Sequence, residues 1–374
     1  MMKKLLVNTT VFALTLGAAS AAGAQEIGPP TSAWKVPACQ RIVGSSAVTF
    51  TQDDGATLTP GTRPLTGTTY ALGLVALDTP NTLLAAVGSV IYRSTDAGCR
   101  WTVLADLSAH TNELLTLTKA GGDRAYVWGD NRGVLFRIDG SAVTVLKSPV
   151  TSVLGIGVDP RNADHVRLGD GNGQIWQSTD AGATWSPLGA PALEGAFAYR
   201  AAFDRTNPDH ILIGTMVNGA YVTTDGARTW TRAFGVSKGN ANVFNLVISP
   251  ADPQVVWAMG IDLDIVDTDP GNGRFIYRSV DGGYTFDPVI HQDPAAGIQM
   301  QNGPTMAAHP TDPGVFYYAF GMSFQSYGTD LYKYDAATRQ LTWTHNAYHG
   351  IGAVDFSPAD PSVLYLGLQL VQVN

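Results

Sequence analysis

The chain has 374 residues, a formal charge of −8, 41 glycines, 21 prolines and two cysteines. The acidic balance excludes nucleic acid and anionic membrane surfaces as main partners, because both require a basic footprint. Glutamate occurs only at 26, 113 and 194. Low Lys and Glu content excludes an extensively helical protein, and abundant glycine and proline suit a turn-rich β fold.

Residues 1–24 read as a secretory signal peptide. Lys3 and Lys4 precede a mostly apolar run from Leu5 to Ala19, and Ala22-Gly23-Ala24 supplies a small-residue cleavage site before Gln25. The run is too short for a membrane anchor, no cysteine follows the cleavage site, and no later stretch is long and apolar enough to span a bilayer. The expectation is an exported monomer, secreted or periplasmic, with residues 25–374 as one domain. Cys39 lies in the arm that follows and Cys99 some way beyond it. An oxidising compartment favours a bridge between them over two separate buried thiols.

From there the chain repeats an octet. Four copies are clear: Ser94-Thr95-Asp96-Ala97-Gly98-Cys99-Arg100-Trp101, Ser178 to Trp185, Thr223 to Trp230 and Ser279 to Phe286. Degenerate copies surround Asp53, Asp139 and Asp335. The aspartates recur about every 43 residues, and about every 55 in the last two intervals, a period that predicts one four-stranded propeller blade per repeat. Asp and Ser/Thr side chains can bond backbone groups within a turn, glycine permits positive φ, and the aromatic anchors the hairpin. Asp53, Asp96, Asp180, Asp225 and Asp281 are therefore read as structural.

These octets resemble the Asp-box, or BNR, repeat of sialidases, xyloglucanase-type glycoside hydrolases, sortilin-type receptors and a photosystem assembly factor. The resemblance implies an all-β, seven-bladed propeller with the boxes away from the active face. The sialidase branch carries an aromatic-Arg-Ile-Pro motif, whereas the nearest string here is Gln40-Arg41-Ile42-Val43. Xyloglucanase-type enzymes use two propellers, and this chain has length for one. An exported single propeller is similar to the bacterial dispase autolysis-inducing proteins and to the photosystem factor, both interaction families.

Apolar strands flank Pro/Asp turns in each repeat, as at Val243 to Ile248 and Val255 to Met259. The last repeat has inner strands only, and the first box has no inner pair before it. Residues 46–62 are therefore expected to complete a seventh blade with residues 349–372, closing the ring and removing sheet edges. Opposite the boxes, three inserts at 260–273, 291–303 and 321–330 exceed what a turn needs, and they mark the expected binding face.

Asp262, Asp264, Asp267 and Asp269 crowd one insert; oxygen-only ligands suggest Ca²⁺, and the alternative is a solvated loop. Asp130, Asp170, Asp262, Asp264 and Asp330 are candidates for a glycosidase pair. His110, His349, Tyr199 and Arg200 could approach the central channel as a lyase set, and Gln301 and Tyr327 come from the inserts. Gly-x-Ser-x-Gly, His-Glu-x-x-His and phosphate-loop motifs are absent. The leading expectation is a non-catalytic module for a protein or polysaccharide ligand, without a cofactor unless Ca²⁺ binds. The alternative is a glycoside hydrolase or polysaccharide lyase of the same fold.

Overall fold

The computed structural model describes residues 33–370 except 194, 196, 237–239, 270, 322–327, 347 and 348. The expected signal peptide and Tyr327 lie outside the described residues. The fold is an all-β propeller. Five four-stranded antiparallel sheets occupy residues 116–145, 153–188, 198–232, 241–291 and 306–346. A seven-stranded sheet holds the remaining strands, Val48–Thr51, the four strands of 69–106, Gly350–Phe356 and Leu364–Leu370. Within it Val48 to Thr51 pair with Gly367 to Leu364, and a short contact of Thr69 and Tyr70 with Leu370 and Gln369 joins the two halves.

In several sheets the second strand is the most apolar because both its faces are covered. Ile211–Thr215 is buried throughout and Leu83–Val87 nearly so. Burying each such aliphatic side chain contributes about 1.5–3 kcal/mol. The outermost strands, such as Ala142–Val145, alternate toward solvent.

Each clear octet folds into one turn. Ser178 Oγ donates to Asp180 Oδ1 at 2.7 Å and accepts from Gly182 N at 2.8 Å, while Asp180 accepts from Thr184 N and Thr184 Oγ1 at 2.8 and 2.6 Å. The octet at Asp53 makes the same bonds through Thr51 and Thr57. Two successive left-handed residues carry the chain round, Ala181 with Gly182 and Gly226 with Ala227. The degenerate copies at Asp139 and Asp335 fold differently. Arg137 and Lys333 stand where the other copies have Ser or Thr, so no hydroxyl holds the turn. Asp139 instead pairs with Arg124 and Arg137, and Asp335 caps Ala337 N at 2.8 Å.

The box face also carries the contacts between sheets. Arg93 bonds Asp123 at 2.7 Å and Gly140 O at 2.6 Å, and Arg137 donates to Ala181 O at 3.0 Å. Arg167 bonds Pro208 O and Asp209. His210 lies between Asp204 at 3.0 Å and Gly282 O at 2.8 Å. Trp257 stacks on Phe316 at 4.6 Å, Lys333 reaches Asp54 at 2.8 Å, and Tyr365 Oη donates to Ala97 O at 3.0 Å. Sequential neighbours are thus joined in series, and the last contact returns to the first box.

Cys39 and Cys99 form a disulfide with Cα atoms 5.7 Å apart, within the reach that such a bridge requires. The arm it fixes lies along the first clear box: Val43 N donates to Cys99 O and Trp101 N to Val43 O. Gly44 is required there, since a Cβ would lie 1.9 Å from Trp101 O. Among the described residues no helix is long and apolar enough to cross a membrane.

Candidate functional site

A cavity of about 1260 Å³ lies at the centre of the ring, lined from the loops opposite the boxes as far as Arg205 and Asp355 toward the box side. Its wall draws on the first strands of successive sheets and on the loops that enter them, including Tyr70, Thr116, Val153, Tyr199, Asn245 and Ile351. A first strand beside the axis places the side chains at its start around the mouth.

Asp130, Tyr199, Arg200 and Gln301 line this cavity. Arg200 follows the start of strand Ala198–Phe203. It is half-buried, its guanidinium carbon lies 5.9 Å from the centre of the Trp128 ring, and its Nε is shut from solvent with no hydrogen-bond partner. Burial pulls this guanidinium below its usual value, and Asp130 opposes the shift. Asp130 itself bonds Asn131 Nδ2 at 2.6 Å. Tyr199 lies against Phe244 at 4.6 Å and edge-on to Phe197 at 5.6 Å.

The other expected site residues lie elsewhere. Asp170 is buried and caps its own hairpin, accepting from Asn172 N, Gln174 N and Trp176 Nε1. Asp330 pairs with His345 Nδ1 at 2.6 Å, away from the cavity wall. His349 contacts Asn346 Oδ1 at 3.3 Å, and burial lowers its pKa.

Three of the four clustered carboxylates bond locally, and Asp267 does so through its backbone N–H. Asp262 caps the short helix Leu263–Val266 through Asp264 N and Ile265 N, and Asp267 ends it. Asp264 accepts from Asn240 Nδ2 at 2.7 Å and Asp269 from Asn272 Nδ2 at 2.6 Å. Among the described residues no three His, Cys, Asp or Glu side chains gather as metal ligands. The 291–303 insert does reach the mouth: Met300, Gln301 and Asn302 form wall, and Asn302 Oδ1 accepts from Arg274 Nε at 3.1 Å.

Sequence reasoning missed an apolar rim beside Arg200. Phe197, Met216 and Val217 are 52, 43 and 42% exposed. Met216 N donates to Phe197 O at 2.8 Å, which holds the two loops together. Val217 has φ +70°, a left-handed conformation that a β-branched residue rarely adopts. Strand Ala241–Ile248 of the next sheet clamps it there, with Val217 N donating to Asn242 Oδ1 at 2.8 Å and Ala241 N to Val217 O at 3.1 Å. The only sequence signal was the hairpin Met216-Val217-Asn218-Gly219, in which apolar residues occupy a turn.

No family model matches the chain. Among solved structures it is similar to an ancestral GH74 enzyme, at 17% identity and TM-score 0.58, over 82% of this chain and 45% of that one. It is also similar to YCF48 from Cyanidioschyzon merolae, at 14% identity and TM-score 0.57, over 81% of this chain and 97% of that one. YCF48 bound to D1 peptide matches with TM-score 0.57 and 13% identity, over 89% and 100%. These likenesses show the fold alone. A curated relative, the dispase autolysis-inducing protein of Streptomyces mobaraensis, is 47% identical over 378 residues, covering 100% of both chains. With that identity along its whole length, the chain belongs to the family of dispase autolysis-inducing proteins.

Proposed function

We propose that this chain is an exported, non-catalytic, seven-bladed propeller of the Asp-box type that holds a protein partner at the mouth of its central cavity. The observation that carries this reading is the condition of the carboxylates around the mouth. Glycosidase chemistry usually needs two carboxyl groups across a sugar bond, one kept protonated near neutral pH. Here Asp170 caps a hairpin and Asp330 is paired with His345, both off the cavity wall, while Glu113 on the wall accepts from Asn131 N at 3.2 Å through Oε2 and leaves Oε1 without a hydrogen bond, 3.8 Å from Arg132. Of the other carboxylates on the cavity wall, Asp130 accepts from Asn131 Nδ2 at 2.6 Å, and Asp355 accepts from Ala76 N at 2.7 Å and Phe356 N at 2.9 Å. The rim beside them offers apolar surface instead.

The seven-blade count is supported by the antiparallel runs joined in series, counting Gly350–Phe356, Leu364–Leu370 and Val48–Thr51 as the blade that both ends of the chain share. Export is supported by the signal-like start and by the disulfide, which persists in oxidising compartments. The family relative is named for inducing autolysis of dispase, so the partner inferred here is a protease whose self-digestion the propeller promotes by binding.

The test is to mix the purified chain with dispase and follow fragments over time, while a polysaccharide panel is assayed for released ends. Accelerated fragmentation without glycan turnover is the expected result. An unchanged fragmentation rate, or turnover of any glycan, overturns the reading.

A further inference from the structure

The mouth combines two features that the fold itself does not need. The first is an unspent cation. Among the described residues the guanidinium of Arg200 makes no hydrogen bond or ion pair; the Trp128 ring lies 5.9 Å away and the charge of Asp130 acts on it from a distance. A half-buried, weakly hydrated guanidinium attracts a carboxylate far more strongly than an exposed one, and its planar fork suits two-point contact. The second is an apolar surface held out toward solvent. Val217 is kept in a strained left-handed conformation by bonds to Asn242 and Ala241, and the result is an exposed isopropyl group beside Met216 and Phe197. Strain that its surroundings enforce is concentrated at functional sites.

The two features are linked along the chain. Phe197 packs edge-on against Tyr199, and Tyr199 precedes Arg200 in the same strand. The composition favours a peptide over a sugar. A sugar ring is gripped by open aromatic planes, but Tyr199 and Phe244 are turned on each other at 4.6 Å. Methionine and aromatic side chains at a rim are characteristic of protein-binding surfaces, and methionine adapts to partners of varied shape.

We propose that Phe197, Met216, Val217 and Arg200 form a peptide-recognition site for an apolar side chain adjoining a carboxylate. This deepens the binding reading above and rests on it. The apolar side chain covers the rim, and the carboxylate passes over the lip of the cavity to the Arg200 guanidinium. Asp130, bonded to Asn131, is the acidic group that disfavours a second negative charge close by. A single carboxylate is therefore preferred to an acidic run. It can be supplied by a chain terminus or by an Asp or Glu side chain.

The experiment is a selection from a randomised short-peptide library with free C termini, using the full chain, Arg200→Met and Val217→Asn. The wild-type chain is expected to enrich peptides with an aromatic or branched apolar residue next to an acid. Resynthesis of the winners as C-terminal amides separates a terminal carboxylate from a side-chain one. Arg200→Met should weaken the winners by about tenfold or more and erase the preference for the acid, as loss of a charge-assisted hydrogen bond predicts. Val217→Asn should weaken them too while melting no lower than wild type, because asparagine tolerates left-handed backbone.

Equal affinity of the winners for wild type and Arg200→Met overturns the proposal. So does failure of the wild type to select any peptide, preference for acidic oligosaccharides, or concentration-dependent pairing of the chain with itself through this rim. Dispase separates this failure from that of the broader reading. If both variants still accelerate its fragmentation, only the assigned site is wrong. If the wild type itself accelerates nothing, the binding reading falls as well.

Discussion

The two faces of the ring treat their polar groups in opposite ways. On the box face nearly every charge is matched. Arg93, Arg137 and Arg167 each bond groups of the next sheet, and the aspartates of the octets accept several donors at once. Two Nε atoms on this face lack a partner, that of Arg167, whose other nitrogens are bonded, and that of Arg278, which rests on the Trp257 ring at 5.4 Å. At the mouth, Arg200 is left without an acceptor, apolar side chains are exposed, and Val217 is held in a strained conformation. Matched groups yield stability and unmatched ones cost it, so the box face has the chemistry of a scaffold and the mouth does not.

The comparison can be broken first at the disulfide. Replacing Cys39 and Cys99 with alanine frees a loop with a sequence separation of 60, and about 2–4 kcal/mol of stability should be lost. Urea unfolding measures this, and a loss confined to the arm would appear as a separate early transition. A sharper version makes one substitution on each face. Arg167 is 6% exposed and holds Pro208 O and Asp209. Arg167→Met should cost about 2 kcal/mol, less than a fully buried pair because Asp209 is half in water. Arg200→Met removes a guanidinium that nothing satisfies, and stability should hold or rise by about 1 kcal/mol. Equal losses for the two variants would erase the distinction between the faces.

The smallest effect is in acid. The hydroxyl and amide of Thr184 hold Asp180 down to about 2, and those of Thr229 do the same for Asp225. Because both folded values lie below the ordinary 3.8, the stabilisation is complete above that value and fades as the pH falls toward 2. Thermal melts should decline through this window. Changing both aspartates to Asn should flatten the decline, and Arg200→Met should leave it unaltered.

The fold was legible because its information is local. Within eight residues, Ser94 to Trp101 contains the hydroxyl, carboxylate, left-handed pair and aromatic of one complete turn. The disulfide followed from having only two cysteines. The site was half legible. Tyr199 and Arg200 could be placed at the mouth because they begin an inner strand. Val217, Phe244 and Trp128 could not, since an apolar residue in a strand or turn looks the same in sequence whether it is covered or bare.

Asp170 and Asp330 show the converse difficulty. An aspartate in a hairpin can bind a ligand or cap its own turn, and only the backbone path reveals that Asn172 N and Gln174 N claim Asp170. The run from Asp262 to Asp269 suggested a cation site or a solvated loop. Three of its carboxylates, those of Asp262, Asp264 and Asp269, accept from the start of a short helix and from asparagine amides that the sequence does not bring into view.

The pairing of Val48 with Gly367 joins residues roughly 320 apart in the chain. Loop-closure entropy grows so slowly that this costs only about 1.5 kcal/mol more than closing a loop of 60 residues. The burden falls on time. A strand near one end must wait, unpaired, until almost all the rest has folded, and during that wait both edges of the gap can recruit a strand from another molecule. The bridge from Cys39 to Cys99 fastens the waiting segment beside the box of its future neighbour. Each chain thereby keeps its own closing strand within reach, and exchange between molecules is disfavoured before the ring is shut.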